Sequence, residues 1–81
     1  MTLDELVTRY RPHLEDESVR VRRSWEEMFT YTLRLYPKDT LLEAFDVHGL
    51  EQKLISAGLH PPVVNGYVKR WADLLARAQD L

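Results

Sequence analysis

HPPVVNGYVKRWADLLARAQDL, residues His60–Leu81, decides how the rest of the chain is read. Pro61 and Pro62 open the stretch with a fixed φ at a helix entry, where their missing N–H groups are not needed. Behind them Val64, Val68, Trp71, Leu75 and Ala78 fall on one stripe at helical spacing, with Tyr67 and Leu74 on its flank. Asn65, Gly66, Lys69, Arg70, Asp73 and Arg77 take the opposite face. The pattern predicts an amphipathic helix with a large aromatic anchor and a mostly basic polar face. The segments upstream read as packing for its apolar stripe.

Working outward, Gly58 is placed as the left-handed C′ residue of a preceding helix, which Asp46 caps and whose Leu50, Leu54 and Ile55 are expected to face inward. Before it, Leu41, Leu42, Ala44 and Phe45 form a short apolar connector, read as a turn or 3₁₀ segment that plugs the core. Pro37-Lys38-Asp39-Thr40 is a breaker cluster. It ends a long helix from about Val19 to Tyr36 that carries Val21, Trp25, Met28, Phe29, Thr32 and Tyr36 on one face. Arg20, Arg23 and Arg34 project in a narrow sector opposite Trp25, with Glu27 among them. The first helix starts at Thr2, an N-cap followed by the acids Asp4 and Glu5, and places Leu3, Leu6, Val7 and Tyr10 at three-to-four spacing. Pro12 marks its end. Four helices and no strand pattern predict an all-α fold.

A chain of 81 residues has room for one domain and one core. No apolar run approaches the ~18 residues of a membrane span. Met1-Thr2-Leu3-Asp4-Glu5 is acidic where a secretory leader is basic and then apolar, and there is no cysteine for disulfides or thiolate metal sites. The expected setting is cytoplasmic. The formal net charge of −2 argues against a uniformly basic nucleic-acid binder. Bases nevertheless concentrate in Arg20–Arg23 and Lys69–Arg77, leaving a local basic surface on an acidic domain. Ala76-Arg77-Ala78-Gln79-Asp80-Leu81 has neither Gly nor Pro as a stop, so the natural protein is expected to continue past Leu81.

The order of these features resembles the N-terminal core-binding domain of phage-type integrases, the tyrosine recombinases. Thr2-Leu3-Asp4-Glu5-Leu6-Val7 with Tyr10 looks like that family's opening helix, and Ser18 with Arg20, Arg22 and Arg23 like its basic entry to the second. Leu41-Leu42-Glu43-Ala44-Phe45-Asp46 is similar to the family's short connector, and Leu50-Glu51-Gln52-Lys53-Leu54 to the helix after it. Val64-Asn65-Gly66-Tyr67-Val68 is similar to the entry of the last helix, with Trp71, Leu74, Leu75 and Ala78 at core positions. The match covers nearly the whole chain and rests on joint order and spacing. Where family members carry Ser or Thr before the valine and a base after the asparagine, this chain has Pro62 or Val63 and Gly66, and its bases stand at Lys69 and Arg70.

The resemblance implies a compact four-helix orthogonal bundle, SAM-like, with a short connector between helices 2 and 3. It further implies a single core-binding domain over residues 1–81 that lies on one side of double-stranded DNA during site-specific recombination. Such a domain is not catalytic by itself. A C-terminal catalytic domain of the same chain, carrying spaced Arg, His-x-x-Arg and Tyr motifs, and other integrase protomers on the DNA are the implied partners.

The candidate DNA-binding residues are Arg20, Arg22, Arg23, Asn65, Lys69 and Arg70. The cations would neutralise phosphates, and Asn65 would bond a base edge or a phosphate. The competing reading is a solvated surface in which Arg23 and Glu27, at i and i+4, simply pair for ~0.3–0.5 kcal/mol. Trp25 and Trp71 sit mid-stripe and are expected in the core rather than as stacking platforms for bases. His13, His48 and His60 match no zinc spacing, Ser18 and Ser24 lack a glycine elbow, and Gly49, Gly58 and Gly66 form no phosphate loop. No cofactor and no metal are expected. The alternative function is a small helical protein-interaction domain, which the acidic balance and the mixed charges of the third helix would suit.

Overall fold

A computed structural model describes all residues, Met1–Leu81. The fold is all-α. Its helices are α1 (Leu3–Tyr10), α2 (Val19–Leu35), α3 (Val47–Ser56) and α4 (Pro61–Arg77), with 3₁₀ turns at Arg11–Leu14, Leu42–Ala44 and Ala78–Asp80. No helix is long and apolar enough to cross a membrane. The chain divides into two compact units, Met1–Leu42 with Leu81, and Glu43–Asp80.

In the first unit local chemistry sets the helix ends. The Thr2 hydroxyl accepts from the Glu5 amide at 3.2 Å while the Glu5 carboxylate accepts from the Thr2 amide at 3.3 Å, a reciprocal capping box. After α1, Pro12 sits inside a 3₁₀ turn that brings Leu14 into the core. Ser18 caps α2 by accepting from the Val21 amide at 3.2 Å. The α2 stripe buries Met28, Phe29 and Thr32 alongside Leu3, Leu6 and Val7 of α1. Thr32, a buried polar residue, satisfies its hydroxyl by donating to the Met28 carbonyl at 2.8 Å. Beyond α2, the chain returns to α1's start: Thr2 and Leu41 form an antiparallel bridge, with the Leu3 amide donating to the Thr40 carbonyl at 2.9 Å. This ties the free first amides of α1 to backbone carbonyls.

In the second unit Asp46 caps α3, its Oδ1 accepting from the Gly49 amide at 2.7 Å. Gly58 ends the helix with φ +86°, the left-handed conformation expected of it. The Gly58 amide donates to the Ile55 carbonyl at 3.0 Å and the Leu59 amide to the Leu54 carbonyl at 3.2 Å, the paired bonds of a Schellman motif. α3 then packs on α4. Phe45, Leu50, Leu54, Val64, Tyr67, Trp71 and Leu74 are buried, and Phe45 meets Trp71 edge-on at 5.1 Å between ring centroids.

Three expectations are corrected. The buried line of α4 runs through Val64, Tyr67, Trp71 and Leu74, while Val68, Leu75 and Ala78 are only half-buried. The helix is therefore rotated about its axis, so that the expected flank is the centre. Ile55, expected inside, is 53% exposed, because α3 is covered along Leu50 and Leu54. Of the connector, Phe45 alone is fully buried, whereas Leu41 is 53% exposed and spends its backbone on the bridge to Thr2.

Candidate nucleic-acid interface

α2 presents an exposed charged surface in the first unit. At 100° per residue, Arg20, Arg23, Glu27, Tyr31 and Arg34 fall on one face, away from the Met28–Phe29–Thr32 side that enters the core. All five are exposed. Arg20, Arg23, Ser24 and Glu27 line one shallow depression together with Val19, and Arg23, Glu27, Tyr31 and Arg34 line the next along the helix together with Glu26 and Thr30. The Arg34 guanidinium stands over the Tyr31 ring at 5.9 Å from its centroid, a weak cation–π contact.

Arg23 and Glu27 form no ion pair, despite their i, i+4 spacing. The carboxylate of α2 that does engage an arginine is its neighbour Glu26, which takes Nε and a terminal nitrogen of Arg11 at 3.0 and 3.2 Å. A two-pronged bond to a residue fifteen positions upstream cannot be inferred from helical spacing. It removes one acid from competition for the α2 arginines. Arg22 is also exposed and lies around the helix from Arg20, in a groove lined by Arg11, Leu14, Val19 and Glu26 that Arg23 borders as well.

The second unit carries the other expected residues. Asn65 and Lys69 are exposed one turn apart on α4, and Arg70 is half-buried. Further along that face Asp73 and Arg77 pair at 3.3 Å, so Arg77 is already engaged. Gly66 leaves open space beside Asn65, since nothing lies within 4 Å of where a Cβ would stand. Within the first unit the structure thus brings Arg20 and Arg23 together in one depression and Arg22 and Arg23 in another; within the second it aligns Asn65 with Lys69.

Arg34 and Tyr31 are absent from the candidate set drawn from sequence. Arg34 was legible there as a member of the same sector. Tyr31 falls off the apolar stripe of α2, which predicts its exposure, and its place beside Arg34 follows from the three-residue spacing on that face. No group of three or more His, Asp or Glu side chains is arranged to hold a metal ion. No family model, curated protein or solved structure matches the chain.

Proposed function

We propose that this chain is a double-stranded DNA-binding module, the core-binding domain of a tyrosine-recombinase integrase, which holds DNA at a recombination site and leaves the chemistry to a catalytic domain. The observation that supports it is the arginine face of α2: Arg20, Arg23 and Arg34 stand exposed along one line with a single carboxylate among them. A stripe of cations along a helix is the electrostatic footprint of a backbone-binding surface, even where the net charge of the domain is slightly negative. Phosphate contacts from such a stripe position a protein on the duplex. The α4 residues Asn65, Lys69 and Arg70 form a second, smaller set of the same kind.

Fluorescence anisotropy with a short arbitrary duplex, at low and then moderate salt, tests the proposal. Binding is expected to be weak and to fall with salt, with a log–log slope of about 0.9 per phosphate neutralised. The triple substitution Arg20→Ala, Arg23→Ala, Arg34→Ala should weaken binding on every sequence and flatten the slope. The double substitution Lys69→Ala, Arg70→Ala should do so less. No binding at low salt, or a slope unchanged by the triple substitution, would overturn the reading. Its integrase part requires a coding sequence running on beyond Leu81 into a domain with spaced Arg, His-x-x-Arg and Tyr motifs.

A protein-interaction module is the second reading, and the exposure of Ile55 and Val63, 53% and 40%, in the second unit favours it. Concentration-dependent self-association of the chain, or loss of it in Ile55→Ser, would bring that reading forward.

A further inference from the structure

Glu27 is out of place on a phosphate-binding surface. It lies seven residues from Arg20 and seven from Arg34, almost on the line that joins them. With a rise of 1.5 Å per residue it is roughly 10 Å from each along the helix axis. It also lines both depressions of the arginine face. A carboxylate there repels the phosphates that its neighbours attract. It does not serve to neutralise Arg23 either, because no ion pair forms between them. Its acceptor oxygens stay open at the centre of the stripe.

Base edges offer such an acceptor a partner. The major groove is about 12 Å wide, so an α-helix crossing it with arginines reaching phosphates on the two sides holds its mid-point over the base edges. The donors exposed there are the N6 amino group of adenine and the N4 amino group of cytosine. On adenine the neighbouring N7 is an acceptor and turns a carboxylate away, whereas cytosine has no acceptor beside its amino group on that edge. Resting on the DNA-binding reading above, we infer that Glu27 is a specificity-determining residue of α2, accepting a hydrogen bond from the N4 amino group of a cytosine in the major groove while Arg20 and Arg34 hold the flanking phosphates. Arg23, one turn away, faces the same groove wall as Arg20.

The test is selection of bound duplexes from a randomised pool by the intact chain and by Glu27→Gln, followed by anisotropy on the selected and singly altered sites. Glu27 is exposed, so the substitution should leave the thermal midpoint unchanged. The wild-type chain is expected to prefer cytosine at one position, by about fivefold or more over the other bases. Glu27→Gln should lose that preference and move it toward adenine, whose N6 and N7 a glutamine amide can bond together, with preferences elsewhere retained. Arg34→Ala should weaken binding to all sites alike and leave the cytosine preference in place. An identical base preference in the wild-type and Glu27→Gln chains would overturn the inference. So would a uniform gain of affinity in Glu27→Gln with no wild-type preference to lose, which would mark Glu27 as a repulsive surface charge. In both cases salt-dependent binding would persist and the DNA-binding reading would stand; failure of the wild-type chain to bind any duplex would overturn both.

Discussion

The two tryptophans each sit inside a 17-residue helix and within an apolar stripe, yet the two units treat them differently. Trp71 of α4 is fully buried, with Phe45 against it edge-on. Trp25 of α2 is only half-buried and belongs to an aromatic row, 4.9 Å from Tyr10 and 5.9 Å from Phe29, with His13 stacked beyond Tyr10 at 5.6 Å. A stripe position specifies which side of a helix faces the protein. How much of the side chain is covered depends on what lies above it. Within the first unit Tyr10 of α1 and His13 of the 3₁₀ turn extend the row beside Trp25, and the tryptophan stays half-buried.

The sharpest way to break this comparison is to truncate both rings. Trp71→Ala should cost ~3–5 kcal/mol, a large part of the stability of a domain this size, and urea melts should show the chain mostly unfolded at ambient temperature. Trp25→Ala should cost roughly 1–2 kcal/mol, in keeping with its partial burial. Equal losses would mean that the aromatic row matters as much as the buried anchor.

Two glycines of the second unit provide a comparison of opposite signs. Gly58 has φ +86°, so alanine there should lose about 1–2 kcal/mol although nothing crowds its Cβ. Gly66 lies inside α4 with open space around it. Alanine there should gain ~0.5–1 kcal/mol by reducing the freedom of the unfolded chain and favouring helix. Thermal melts of the two single variants check both signs. A loss of stability at Gly66→Ala would show that the α4 surface beside Asn65 has a steric constraint of its own.

These elements also separate what is legible in sequence from what is not. Thr2, Ser18, Asp46 and Gly58 announce helix ends because capping is settled within about four residues, between a side chain and the nearest backbone groups. The core faces of α3 and α4 are legible only to within a rotation. Ile55 and Leu54 are adjacent and equally apolar, and it is packing between helices that covers Leu54 and leaves Ile55 in water. In the candidate interface, the arginine sector of α2 follows from helical period alone, Arg34 included. What periodicity cannot supply is the identity of the engaged acid. Helical spacing nominates Glu27 for Arg23, while the fold brings Arg11 to Glu26 and leaves Glu27 open.

That exchange of partners predicts the smallest effect on stability and still sharpens the contrast between the two acids. Arg11 and Glu26 are about half exposed, with side-chain accessibilities of 49% and 46%, so their two-pronged contact is screened by water and salt. A double-mutant cycle over Arg11→Ala and Glu26→Ala should return a coupling of roughly 0.2–1 kcal/mol that shrinks as salt is raised. The same cycle over Arg23→Ala and Glu27→Ala should return no attraction beyond what two charges one turn apart feel through water. If the second coupling equalled the first, Glu27 would pair with Arg23 in solution, and a base amino group would have to compete with that arginine for the carboxylate. If only the first is measurable, Glu26 is the acid that docks the 3₁₀ turn onto α2, and Glu27 stays available at the centre of the arginine face.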